Sequence, residues 1–494
     1  MSSNISTLGE LKASGWKSVS IKEEMRNNLI RKMKAGETLF PGILGYDKSV
    51  IPQIQNAILA RHDLILLGLR GQAKTKILRM LVHFLDEEIP VIKGSEINDD
   101  PLRPISKYGR EIVEEKGDDT PIAWLKREHR YGEKLATPDT TVADLVGDLD
   151  PIKAASKRLS LADEEVINFG LIPRTNRGIF VINELPDLQP RIQVALLNIM
   201  QERDIQIRGF NVRIPLDVSI AFSANPEDYT NRGSIITPLK DRIDSQIITH
   251  YPREMDTAVH ITEQEAWVTR GDEVNVHVPQ IFREILENVA FEARNSEYID
   301  QKSGVSTRMT ITAMEQVVSA AERRALQNSE NETTLRITDL FYMIPALTGK
   351  LELVYEGEQE GAVNVAKHII GKAINKTFKS YFPDPQKRSA DEKGDDYQPI
   401  LGWFANGNSL EVPDSLSNKE YKKALDGVTG LKKLVEKYSG EDNAGLYPKM
   451  DLVIEALHQN SKLGKEDADE VRVYSDMLGA MLGGMGDFDE EDFG

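Results

Sequence analysis

With 494 residues, 40% of them hydrophobic, the chain is long enough for about two to four domains, each with a proper core. A formal charge of -18 argues against a broad nucleic-acid-binding face, which needs clustered Lys and Arg to displace counterions, although a local basic patch is compatible with it. The absence of cysteine excludes disulfides, thiolate nucleophiles and Cys-ligated zinc, and is compatible with a reducing cytoplasm.

Residues 1–40 read as a polar, mostly helical lead-in, with Ile21, Met25, Leu29, Ile30 and Met33 at helical spacing. The first eight residues lack the charged and apolar regions of a signal peptide, and no apolar run approaches the roughly 20 residues of a membrane span. The expected location is therefore the cytoplasm, with no membrane contact. Phe40-Pro41-Gly42-Ile43-Leu44-Gly45 breaks the lead-in and opens a core domain, and a helix over about 48–60 leads to an apolar strand, Leu64-Ile65-Leu66-Leu67.

That strand runs into Gly68-Leu69-Arg70-Gly71-Gln72-Ala73-Lys74-Thr75 and then into a helix whose Ile77, Leu78, Leu81, Val82 and Leu85 share one face. This is the build of a phosphate-binding loop. Backbone N–H groups point inward at a helix N-terminus, Lys74 is placed to reach the β- and γ-phosphates of ATP, and Thr75 offers a hydroxyl to Mg²⁺. The usual pattern has glycine before the lysine; Ala73 costs little there provided its φ is negative.

After a short strand at Ile89-Pro90-Val91-Ile92, the polar section to about Thr140 reads as a surface insertion, and its acidic clusters, Asp99-Asp100 and Asp118-Asp119, as a solvated face. Ile179-Phe180-Val181-Ile182 then has the continuous apolar character of a buried parallel strand, ending in Asn183-Glu184 at the carboxyl edge, where open α/β sheets bind ligands. Such a strand beside a phosphate loop normally ends in Asp-Glu, the Asp holding Mg²⁺ through its water shell and the Glu orienting or deprotonating the attacking water. Asn183 keeps the hydrogen-bonding capacity but not the charge.

A helix over 192–200 follows, and alternation around Gly209 predicts a β-hairpin over 205–214, whose Arg208 and Arg213 either line a pore or lie on the surface. Val218–Ala224 is a further buried strand, and Asn225 after it either positions a water beside the γ-phosphate or caps a loop. Arg242, between Asp241 and Asp244, reads alone as a structural ion-pair former. From about Tyr251 the pattern turns helical, over 281–293, 310–326, 337–355 and 362–381, with Ser306 or Thr307 as N-cap of the second helix and Arg308 beside it. Residues 387–397 read as a linker, with helical stretches beyond it near 418–425, 431–438 and 466–482. The end of the chain, Asp487-Phe488-Asp489-Glu490-Glu491-Asp492-Phe493, reads as an acidic tail, either docking or solubilising.

Taken in this order, over about residues 40–375, the pieces resemble the AAA+ ATPases of the magnesium chelatase and MoxR branch. Gln193-Val194-Ala195-Leu196-Leu197-Asn198-Ile199-Met200-Gln201-Glu202-Arg203 looks like MoxR proteins, which also tolerate alanine at the position of Ala73. Thr140-Thr141-Val142-Ala143-Asp144-Leu145-Val146-Gly147-Asp148-Leu149-Asp150 and Gly304-Val305-Ser306-Thr307-Arg308 look like the chelatase ATPase subunit. The resemblance implies an α/β class, an AAA+ P-loop core with a parallel sheet flanked by helices, followed by an all-helical lid domain. The expected divisions are a lead-in over 1–40, the core over 41–250, the lid over 251–382 and an extension over 383–494. It implies ATP and Mg²⁺ as cofactors, held by Gly68, Gly71, Gln72, Ala73, Lys74, Thr75 and Asn183. Glu184 becomes the catalytic base, Asn225 the first sensor, Arg242 a finger acting on the neighbouring subunit's nucleotide and Arg308 the second sensor. A homo-hexameric ring is implied too, with a separate protein partner that often carries a von Willebrand A domain; nucleic acid is not an expected partner. The activity expected is an ATP-hydrolysing motor that remodels a protein or drives metal insertion. A slow nucleotide-switched scaffold, suggested by Asn183, and a transcription regulator on the same core are the alternatives.

Overall fold

The computed structural model describes residues 5–158, 163–206, 213–225, 233–271, 273–386, 396–439, 445–468 and 471–477. The chain divides into two compact units, Met1–Tyr251 and Pro252–Gly494.

In the first unit the three apolar runs are strands: β1 (Leu64–Leu67), β3 (Gly178–Asn183) and β4 (Val218–Ala224). Helices cover both faces of the sheet they form, which is why each reads as a continuous apolar run. Two edge strands complete the sheet, β2 (Tyr131–Leu135) beside β3 and β5 (Ser245–Ile248) beside β1, in the order β5-β1-β4-β3-β2. All pairings are parallel. Leu64, Leu66, Val181 and Ala221 point to one face, under α1 (Ile21–Lys34), α2 (Val50–Leu59) and α3 (Lys74–Met80). Ile65, Phe180, Ile182 and Phe222 point to the other, under α4 (Pro190–Glu202) and Leu239 of α5 (Thr237–Arg242).

The section before Thr140 is not a surface insertion: it contributes β2 to the sheet, and Ile122–Lys126, which pairs antiparallel with Glu88–Ile92. Strand β2 escapes notice because an edge strand with the sequence Tyr-Gly-Glu-Lys-Leu has no apolar run. Nor is Asp99-Asp100 a solvated face. Asp99 is fully buried and accepts hydrogen bonds from the N–H groups of Ile105 and Ser106 at 2.6 and 2.8 Å, organising a turn. The lead-in is tied to the core through Ile21, Met25 and Leu29. The expected hairpin forms between Asp204–Gln206 and Arg213–Pro215, and its turn, with Arg208 and Gly209, lies outside the described residues. Arg213 pairs with Asp204 at 3.5 Å.

The second unit is built on α6 (Met255–Glu265), α7 (Gln280–Arg294), α8 (Thr307–Gln327), α9 (Ala362–Tyr381) and α10 (Leu446–Gln459), with a two-stranded parallel ladder, Asn275–His277 against Glu332–Thr334. Among the described residues after 396, Ile400, Val412, Leu425, Val453 and Tyr474 belong to the same cluster as Phe282, Val317 and Phe378. The helix expected over 337–355 is broken into Ile337–Leu340, a 3₁₀ turn and Ile344–Thr348. The helix expected over 466–482 is instead a pair of antiparallel strands, Gly464–Ala468 and Val471–Ser475, up to Ser475. Of the expected linker, residues 387–395 lie outside the described residues, as does the acidic tail.

Candidate functional site

The carboxyl ends of β1, β3 and β4 carry the loop Gly68–Thr75, Asn183-Glu184 and Asn225, and the sheet's own hydrogen bonds hold these together. The Gly68 N–H donates to the Ala224 carbonyl at 3.1 Å, next to Asn225, which is buried. Glycine at 68 makes room for two side chains: a Cβ there would lie 2.0 Å from Thr249 Oγ1 and 2.2 Å from Gln72 Oε1, which would have to shift. Those two atoms are themselves hydrogen-bonded at 2.6 Å, Thr249 donating, so the loop is clamped to the end of β5. Tyr46 adds a second clamp, its hydroxyl in reach of the Gln72 carbonyl at 3.1 Å and the His250 carbonyl at 2.7 Å. Burial pushes the Tyr46 phenol up to about 12, so it remains a protonated donor. Tyr251 Oη donates to the Arg70 carbonyl at 2.9 Å. Gln72, which the resemblance places among the residues that hold ATP, anchors the loop through both its side chain and its carbonyl.

Gly71 has φ +73°, and Ala73, at φ +57° and ψ +13°, is left-handed. The condition under which alanine costs little here, a negative φ, is therefore not met. An L-residue in this region is disfavoured by Cβ–carbonyl contact, by about 1–2 kcal/mol, which is the reason glycine is usual at this position. Lys74 begins α3 and is buried, its ammonium turned onto the loop carbonyls of Gly68 and Leu69, the latter at 3.0 Å. Thr75 follows, half-buried, on the first turn. A buried ammonium inside a loop that turns twice through positive φ suits a polyphosphate.

Glu184 is also left-handed, at φ +54° and ψ +50°, and is only part-buried where β3 ends. Strain of this kind clusters at functional sites. Asn183 is buried; its Oδ1 accepts from Ser223 Oγ at 2.8 Å and its Nδ2 donates to Glu133 Oε1 at 2.7 Å. Glu133, from β2, also takes a bidentate pair from Arg79 of α3, at 2.8 and 3.0 Å. The hydrogen bond from Arg79 is the main cause that holds the Glu133 carboxyl below its ordinary value. Sequence reasoning missed Glu133, Arg79 and Ser223. The alternation of Tyr131, Glu133 and Leu135 was the available signal for a strand, and nothing in it marked Glu133 as the neighbour of Asn183. For Mg²⁺, the neutral Asn183 and the Thr75 hydroxyl supply oxygen donors of the right kind, and the nearest carboxylate to Asn183 is that of Glu133.

Arg242 makes its hydrogen bonds to α4 and α5 rather than to the phosphate-type loop. Arg242 ends α5 and donates to Gln201 Oε1 at 2.9 Å and to the Pro238 carbonyl at 3.0 Å. Arg308 belongs to the second unit, exposed on the first turn of α8, where Ser306 is the N-cap and accepts the Arg308 N–H at 3.2 Å.

A parallel sheet ordered β5-β1-β4-β3-β2, with helices on both faces and a phosphate-type loop after β1, defines the class, and residues 123–243 match the AAA domain of the dynein-related subfamily. The chain therefore carries an AAA domain. It is related to the magnesium-chelatase 38 kDa subunit: it is 27% identical to that of Cereibacter sphaeroides over 241 residues, 46% of this chain and 64% of the relative. It is 31% identical to that of Rhodobacter capsulatus over 119 residues, 24% of this chain and 31% of the relative. The chain thus spans less than two thirds of either relative's length. Among solved structures, a cryo-EM-based model of the complex between the magnesium-chelatase subunits BchI and BchD covers 65% of this chain and 98% of the matched one, at 19% identity and a TM-score of 0.34. Among the described residues, no helix is long and apolar enough to cross a membrane.

Proposed function

We propose that this chain is an ATP-driven motor that binds ATP with Mg²⁺ at the Gly68–Thr75 loop, hydrolyses it, and uses the cycle to remodel a protein partner or to drive metal insertion. The observation that carries this reading is the gathering, on one sheet edge, of a clamped loop with a buried Lys74, the strained Glu184 and the buried Asn225. In this reading Lys74 holds the β- and γ-phosphates, and Thr75 with Asn183 holds the cation and its waters. Glu184 accepts the proton of the attacking water and Asn225 orients that water. When bound, Mg²⁺ neutralises charge developing on the phosphates.

Arg242, at the end of α5, acts in trans in a hexameric ring, and Arg308 is the second sensor from the helical unit. A separate partner subunit, with or without a von Willebrand A domain, belongs to the same reading, since the relatives are themselves subunits of magnesium chelatase.

The test is steady-state ATP hydrolysis with binding measured in parallel. Lys74→Ala is expected to lose both, and Glu184→Gln to keep binding while losing turnover. Hydrolysis unchanged in both variants would sink the reading. Asn183 favours a second reading, a scaffold switched by bound nucleotide with little turnover; tight binding, with slow hydrolysis that Glu184→Gln leaves unaltered, would select it.

A further inference from the structure

Three strands decide how Asn183 is oriented. Ser223 Oγ accepts the Glu184 N–H at 3.3 Å and donates to Asn183 Oδ1 at 2.8 Å, which leaves the amide Nδ2 to donate to Glu133 Oε1 at 2.7 Å. An ionised carboxylate only accepts, so the amide cannot be reversed without facing Glu133 with its own oxygen. An aspartate at 183 would set two carboxylates against each other in the same place. The register explains the encounter: Leu135 lies opposite Asn183 and Glu133 opposite Val181, so 133 and 183 share one face of the sheet. It is the face on which Ile77 and Leu78 of α3 pack, the helix that opens with Lys74 and Thr75.

Glu133 has its acceptor capacity filled on both oxygens. Oε1 takes Asn183 Nδ2 and Arg79 Nη2; Oε2 takes Arg79 Nε and, at 3.2 Å, Tyr131 Oη. Arg79 lies four residues beyond Thr75, one turn along the same helix, and its side chain is 64% exposed against 21% for Glu133. The carboxylate is the embedded partner and the guanidinium the exchangeable one.

We propose that the negative charge missing at residue 183 is supplied one strand away by Glu133, a positioning residue that acts through the Asn183 amide, and that Arg79 attenuates it as counter-ion. The proposal rests on the nucleotide reading above and deepens it. Glu133 accepts the amide N–H and leaves the Asn183 carbonyl oxygen more negative, its orientation fixed by Ser223, at the end of the strand that holds Mg²⁺ in that reading. Asn183 is then a bridge for charge, and its neutrality is required by Glu133.

The test uses the full chain and a fluorescent ATP analogue, mant-ATP, titrated in EDTA and then against Mg²⁺. Glu133→Gln is expected to leave Mg²⁺-free binding unchanged and to raise the Mg²⁺ concentration for half-effect by about tenfold or more, the usual size for loss of an outer-shell partner. Arg79→Gln is expected to lower that midpoint. Glu133→Gln combined with Asn183→Asp, which returns the charge to residue 183, is expected to bring it back toward wild type, a rescue that a purely structural role would not produce. A midpoint unmoved by Glu133→Gln, or not rescued in the double variant, overturns the proposal while leaving the nucleotide reading intact. Wild type that binds no mant-ATP with or without Mg²⁺, or binds it no better than Lys74→Ala, overturns the nucleotide reading and this proposal with it.

Discussion

Both units bury polar side chains, and they do so in different ways. In the second unit, Arg324 pairs with Asp339, both 3% exposed, and Asp339 also accepts the Arg336 N–H at 2.8 Å. Arg336 lies 4.2 Å over the Tyr421 ring, Tyr421 donates to Asp451 at 2.9 Å, and Glu455 binds Lys465 at 3.2 Å and Tyr474 at 2.6 Å. These groups face one another across α8, α10 and the antiparallel strands Gly464–Ala468 and Val471–Ser475, on regular backbone. At the carboxyl edge of the first unit the polar groups sit beside left-handed residues, Ala73 and Glu184, and the carboxylate of Glu133 is answered by an exposed arginine. Buried charge by itself therefore does not mark a site. Strain together with an exchangeable partner at a ligand-binding edge does.

The largest effect that tests this contrast is on stability. Asp339→Ala leaves Arg324 and Arg336 without their shared carboxylate and is expected to cost about 3–5 kcal/mol in denaturant unfolding, with mant-ATP affinity of the folded protein retained. An equal loss of nucleotide affinity in folded protein would break the distinction between the two regions.

Next comes a pH dependence. Burial alone would raise the Glu455 carboxyl, but the charges of Lys465 and Arg472 and the hydrogen bonds from Tyr474 and Gln459 together bring it from 4.5 down to about 2. A depressed carboxyl stabilises above its unfolded value and loses that contribution as pH falls through its folded one. The stability gap between wild type and Glu455→Gln should therefore be full above pH 4.5, of the order of 3 kcal/mol, and close toward pH 2. Asp339, raised chiefly by burial, titrates with the opposite sign and is common to both proteins. A gap that widens on acidification would contradict the assignment.

In the first unit, Gly68→Ala forces a methyl against Thr249 and Gln72 and is expected to cost about 1–3 kcal/mol while weakening mant-ATP binding; a variant that binds as wild type would remove the clamp from the site. The smallest change is Ala73→Gly. Relief of a left-handed alanine is expected to stabilise by up to about 1 kcal/mol in thermal unfolding, and destabilisation would show that the loop gains from the methyl.

Much of the first unit was legible because β1, β3 and β4 are buried on both faces, and a strand with two dry faces must be apolar throughout. Strand β2 was not, since one neighbour and an open edge let it carry Glu133 and Lys134. Helix α10 was missed for the opposite reason: Asp451 and Glu455 interrupt its apolar face, and only their partners on other elements make them tolerable inside a core. The strands Gly464–Ala468 and Val471–Ser475 were read as helix because their charged residues fit either period.

The amino-acid sequence alone determined the order of chemistry along the chain: a strand, a glycine-bearing loop, Lys74-Thr75, and later strands ending in Asn183-Glu184 and Asn225. Local rules suffice for that, because strand burial and loop chemistry leave their mark within about ten residues. The sign of φ at Ala73, the clamp of Thr249 on Gln72, and the meeting of Glu133 with Asn183 were decided by the tertiary structure. Each depends on which strands lie side by side and in what register, and that is set by packing the whole sheet between its helices.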